Sequence, residues 1–264
     1  MVSTMVRAFR WVFPALLLAA GTALSEPALV SEKPPEPGPL LQTLIELENT
    51  ARLLAILLDS GRYVINENQD LLDDPDKGEK GFSPEVFEQQ LSEVFRSRSG
   101  VDLRDLNSAR VPTGAKKLLH VLAAVSKQVV AEAQPTINRR GVGFKGFIPA
   151  VFGARVAGRF TEATGVRLKQ TALVPRNPAN VPDPFEKAAL REFADPSYPR
   201  EKVISEVTAK SKSLRLMFPL YTTRQCLHCH GEPKGELDKT GYPREGLRLG
   251  QNAGAISVVV PIQR

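Results

Sequence analysis

Cysteine is almost absent: the 264 residues contain two, Cys226 and Cys229, three positions apart. That scarcity weighs against a closed structural zinc site, which normally recruits a second Cys or His pair. Neither cysteine lies near the N-terminus, so a lipidated cysteine there is excluded. No dense basic tract with interleaved aromatics occurs, and the 35 Lys and Arg are scattered among 29 Asp and Glu, which argues against a nucleic-acid partner. A Walker-type glycine loop after a strand is also missing. No distal acid–base constellation is legible, so no enzymatic activity is expected. No output domain is expected within these residues.

Residues 1–25 contain Arg7 and Arg10 but no acid, then an apolar run from Trp11 to Ala20, then the small residues of Ala23-Leu24-Ser25. This is the pattern of a secretory signal peptide. Its apolar stretch is too short to span a bilayer comfortably, so no membrane span is expected in the mature chain. The expected address is periplasmic or extracytoplasmic. Removing Arg7 and Arg10 from a chain of formal charge +6 leaves about +4, a mildly basic protein. Prolines at 27, 34, 35, 37 and 39 make residues 26–40 an extended tether.

From 41 to 264 a single α+β domain is expected. Leu40, Leu44, Leu47, Ala51, Leu54 and Leu58 recur at helical spacing, as do Ala115, Leu118, Leu122, Val125 and Val129 after Pro112-Thr113-Gly114. An internal duplication underlies both helices: Val64–Val101 repeats as Val129–Val166. Gly78, Lys80, Gly81, Phe82, Pro84, Phe87, Phe95 and Gly100 recur 65 positions later as Gly143, Lys145, Gly146, Phe147, Pro149, Phe152, Phe160 and Gly165. Residues 41–165 therefore read as two helix–loop–helix units packed about a pseudo-twofold relation. The Lys-Gly-Phe loops read as turns, with Pro84 and Pro149 near the starts of the following helices.

Residues 166–264 read as a small antiparallel sheet: Val166–Val174 and Leu214–Leu220 alternate, and Gly254–Ile262 is a short β-branched run. Between the first two lies a proline-rich loop, 175–186. Its Arg176 is a candidate partner for a carboxylate, because arginine binds carboxylates bidentately.

The densest chemical signal is Cys226-Leu227-His228-Cys229-His230. C-x-x-C-H is the unit on which a c-type haem is attached: two thiols on one turn add to the two vinyl groups, and the adjoining imidazole of His230 ligates iron. A zinc knuckle and a Cys226–Cys229 disulfide are the competing readings of the pair. One covalent haem c is expected, lying on one face of the sheet beneath the helices, with Arg176 the candidate partner of a haem propionate. His120 and Met217 are the remaining strong donors for the second axial position, since Met1 and Met5 leave with the signal. His120 falls on the polar side of its helix. Met217 shares a strand face with Arg215, opposite Leu214, Leu216 and Phe218.

Four segments together resemble a known family. Arg176-Asn177-Pro178-Ala179-Asn180-x-Pro182-Asp183-x-Phe185-Glu186, Cys226–Gly231, Gly241-Tyr242-Pro243 and Gly254–Val258 look like the exported c-type haem-binding domain with a PAS-like fold, long known only as a domain of unknown function. The similarity extends over most of 41–264 and includes the Gly-x-Lys-Gly-Phe elements. In that family the domain occurs alone or as the sensing part of membrane signalling proteins. The resemblance implies a PAS-like α+β haem domain serving electron transfer or redox sensing, or a small-ligand (gas) sensor module. Its partner would be a separate redox or signalling protein.

Overall fold

The structure is a computed structural model and describes residues 39–107, 111–208 and 212–262. The expected signal peptide, 1–25, and all of the expected tether but its last two residues lie outside them. The described chain is α+β, with helices leading into one antiparallel sheet. Five helices come first: α1 (Pro39–Glu67), α2 (Gln69–Asp73), α3 (Pro84–Ser99), α4 (Thr113–Ile137) and α5 (Pro149–Thr164). Then follow β1 (Arg167–Thr171), a 3₁₀ turn (Pro178–Asn180), α6 (Pro184–Phe193), β2 (Ile204–Thr208), β3 (Ser213–Tyr221), α7 (Leu227–His230) and β4 (Asn252–Pro261). No described helix is long and apolar enough to cross a membrane.

The 65-residue offset of the sequence is kept to the residue by α3 and α5. Proline stands at the first turn of each, where its missing N–H costs no hydrogen bond. Gly100 and Gly165 close them with φ of 74° each, a left-handed cap that a side chain would strain. The phenylalanines of the two copies fill the core, and Phe87 meets its counterpart Phe152 at 5.4 Å between ring centroids. Burying each such side chain stabilises the fold by about 1.5–3 kcal/mol. The Lys-Gly-Phe loops turn their ammonium groups inward. Lys80 donates to the carbonyls of Asp74 and Lys77, and Lys145 to those of Asp74 and Val142. These contacts satisfy backbone acceptors where the preceding helices end, so the lysines serve the turns.

The sheet order is β1-β4-β3-β2, with every pair antiparallel. One face, carrying Leu168, Leu214, Leu216, Ile256 and Val258, joins the helical core. The other carries Met217 and Ala255 and is covered by Ala189, Leu190 and Phe193 of α6. Two elements go beyond the sequence expectation. Edge strand β2 is mostly exposed and so lacks a strong alternation. Helix α6 begins inside the proline-rich loop, where Asp183 and Glu186 form a reciprocal capping box. On α4 the buried positions include Ala115, Leu119, Leu122, Ser126 and Val129, while Leu118 and Val125 flank them half-buried.

Candidate functional site

The candidate site lies in the long excursion between β3 and β4. Thr222 closes its base, accepting from Gly250 N and donating its own N–H to Gln251 O. β1 and β3 run in the same direction, so Arg176 and the excursion emerge at one end of the sheet. Contacts with the helical part fix it there: Asn66 of α1 donates to Thr223, Gln225 to Glu67, and Lys239 pairs with Asp73. The turn that carries the two cysteines thus sits past the end of the sheet, against the C-terminal end of α1. Side chains fill both faces of the sheet's centre.

Cys226 to His230 form a single helical turn, with Cys229 N and His230 N both donating to Cys226 O at 3.2 and 2.9 Å. The chain then leaves abruptly at Gly231, where a Cβ would stand 2.5 Å from Leu227 O. Glycine is therefore required there by close backbone approach. Both cysteines are half-buried free thiols. Burial pushes the Cys229 thiol above its ordinary pKa, with Asp238 adding to the effect. That is the opposite of the low-pKa thiolate of a redox-active C-x-x-C pair. Among the described residues, no three His, Cys, Asp or Glu side chains converge as a metal cage.

Around this turn stands a polar frame that no sequence motif announces. A small hairpin, bridged at Leu237 and Pro243, delivers Glu245 to His230. Glu245 Oε2 lies 2.7 Å from His230 Nδ1. Arg176 grips the same carboxylate bidentately, Nε to Oε1 at 2.7 Å and an η-nitrogen to Oε2 at 2.9 Å. Its remaining donors reach Asp238 Oδ2 at 2.6 Å, Thr240 Oγ1 at 3.5 Å and Cys229 O at 2.9 Å. The guanidinium also sits 5.5 Å from the centre of the Tyr242 ring. All five N–H groups are thereby engaged within the protein. Arg176 is a strut between the thiol turn and the hairpin.

Burial would raise the pKa of Glu245, but hydrogen bonds from Arg176 and His230 outweigh it and hold the carboxyl below its ordinary range. Asp238, whose side chain has 0% exposure, is likewise held far below the carboxylate range. There burial is overcome by Thr240 and Arg176 and by the backbone N–H groups of Thr240 and Tyr242. Glu245 and Asp238 escaped the sequence reading because they lie 15 and 8 positions beyond His230 with no fixed spacing. The only hint was the Gly241-Tyr242-Pro243 turn, which flags the hairpin but not its cargo.

The frame and the turn fit a c-type haem. The thiols sit on one turn, and the described contacts engage only Nδ1 of the His230 ring, the arrangement in which Nε2 is presented to a metal. The two other donors are elsewhere. Met217 is fully buried among Ala189, Leu190, Phe193 and Ala255 beneath α6. His120 is exposed on α4.

A model of the Tll0287-like family matches residues 41–261. The chain belongs to the Tll0287-like family. This match spans the helical part, the sheet and the whole polar frame. Among solved structures the chain is similar to the crystal structure of the cyanobacterial heme-protein Tll0287. That likeness has 18% identity and a TM-score of 0.39, covering 58% of this chain and 98% of the other. No curated protein matches.

Proposed function

We propose that this member of the Tll0287-like family is an exported monohaem c-type cytochrome. Cys226 and Cys229 hold the haem covalently through thioether bonds, and His230 ligates its iron through Nε2. The observation that carries this reading is the pairing of a C-x-x-C-H turn with a carboxylate on His230 Nδ1 at 2.7 Å. Membership of a family whose namesake is a heme-protein supports it. When bound, the haem supplies a one-electron couple. Glu245 keeps the ring proton on Nδ1, Arg176 holds Glu245 and the Cys229 carbonyl, and the hairpin covers that side of the turn. The role is electron transfer or redox sensing with a separate protein partner in the periplasm, rather than enzymatic turnover.

A second reading, a small-ligand sensor module acting through a signalling partner, is favoured by one observation. Met217 packs in the α6 core and His120 lies on the surface of α4, and a second axial position left open by both would take a small ligand. The test is the visible spectrum of the protein matured in a periplasm: oxidised, reduced, and reduced under carbon monoxide. Haem that resists acid–acetone extraction is expected. Its absence would sink the proposal and return Cys226 and Cys229 to a disulfide or zinc. A low-spin reduced spectrum indifferent to carbon monoxide favours the carrier; a carbon monoxide shift favours the sensor.

A further inference from the structure

We propose that Glu245, clamped by Arg176, is the positioning residue of the iron ligand: it fixes the His230 proton on Nδ1, aims Nε2, and sets the reduction potential of the site. This rests on the reading of Cys226–His230 as a haem-attachment turn and deepens it by assigning a residue outside the motif.

Three fixed points define the ligand. Glu245 Oε2 faces Nδ1 at 2.7 Å, Arg176 holds the Cys229 carbonyl at 2.9 Å, and Leu247 N donates to the His230 carbonyl at 2.7 Å. The ring and the backbone on both sides of it are thus held from outside the turn. The carboxylate cannot swing away, because both of its oxygens are engaged by the guanidinium fork. An ionised acceptor on Nδ1 makes the imidazole a more basic donor at Nε2, and outer groups of this kind tune ligand strength and redox poise. A more basic ligand favours the ferric over the ferrous state, so Glu245 lowers the potential. Arg176 shares Oε2 with His230 and moderates the effect.

The experiment compares wild type, E245Q, E245L and E236Q, each matured with haem and each first assayed for covalent haem by its pyridine haemochrome spectrum. Reduction potentials are then read by spectroelectrochemical titration. Glu236 lies in the same hairpin without touching His230 and serves as the charge control. Glutamine keeps an acceptor but loses the charge; leucine loses both. The expected order is wild type and E236Q together, E245Q higher, E245L highest. Equal potentials for E245Q and E245L would reduce the effect to a lost charge, and potentials unchanged from wild type would remove it; either overturns the proposal.

A second measurement covers poor maturation of E245L. In the haem-free full chain, with His230 identified by difference from His230→Gln, ¹⁵N shifts in alkaline buffer report the ring tautomer. Wild type should carry the proton on Nδ1, and E245Q and E245L should move toward the Nε2–H form of free imidazole. A wild-type ring already in the Nε2–H form refutes the assignment. Failure of wild type to attach haem counts against the proposed function, while the tautomer still decides the Glu245–His230 pairing.

Discussion

Replacing Arg176 by methionine keeps an unbranched stem of similar reach and deletes every donor of the strut. The consequence follows from what is left behind. Asp238, with 0% side-chain exposure, keeps Thr240 and Tyr242 as donors but loses its counter-charge, and Cys229 O loses a donor. Removing one partner of a buried ion pair costs about 3–5 kcal/mol, because the remaining charge stays desolvated. Glu245 is 34% exposed and can turn to water, so its half of the interaction contributes about 0–1 kcal/mol. Arg176 itself is 21% exposed, which places the total near the lower bound, about 3 kcal/mol. Urea unfolding followed by circular dichroism measures it as a fall in midpoint at unchanged slope. The double variant R176M/D238N neutralises the stranded carboxylate and should be more stable than the sum of the single losses predicts, by at least about 1 kcal/mol. A loss below about 1 kcal/mol for R176M, or strict additivity in the double variant, would refute the reasoning.

Acid should act on the same frame. The Asp238 pKa is depressed in the folded state, so its contribution is fully present above the unfolded value of about 3.9 and is lost as pH falls from there through the folded value. Urea midpoints of D238N below pH 4 should depend on pH less steeply than those of wild type. Met217→Leu should cost less than about 1.5 kcal/mol and leave the visible spectrum of the haem-loaded protein unchanged, since the thioether packs beneath α6; a spectral shift would place it on the iron. Gly231→Ala drives a Cβ to 2.5 Å from Leu227 O, so the turn must open at a cost of about 1–3 kcal/mol. The haem attached per chain should fall while the helical circular dichroism persists; normal attachment would show that the turn tolerates the side chain.

Local rules are legible in the sequence wherever neighbours in the chain suffice. The Cys226–His230 turn is one case, since three-residue spacing and an adjoining histidine fix what can stand on one helical turn. The 65-residue repeat is another. Proline at the first turn and glycine at the left-handed cap define α3 and α5 within themselves, and the periodic leucines define α1 and α4. A capping box at Asp183 and Glu186 was present in the letters and was masked by the surrounding prolines.

What only the tertiary structure decided are contacts between segments far apart in the chain. Arg176 reads as a candidate carboxylate partner in a proline-rich loop, and only the parallel exits of β1 and β3 bring it to Cys229, Asp238 and Glu245, 53 to 69 residues away. Met217 could face a cofactor by alternation alone, and the packing of α6 on that face of the sheet sends it into a core. Alternation names two faces, but which face meets which layer depends on the docking of other elements. The sequence by itself therefore determined the chemistry that the turn can carry. The fold decided which distant side chains hold it, because a hydrogen bond of 2.7 Å between Glu245 and His230 depends on the docking of the hairpin and leaves no periodic trace in the order of residues.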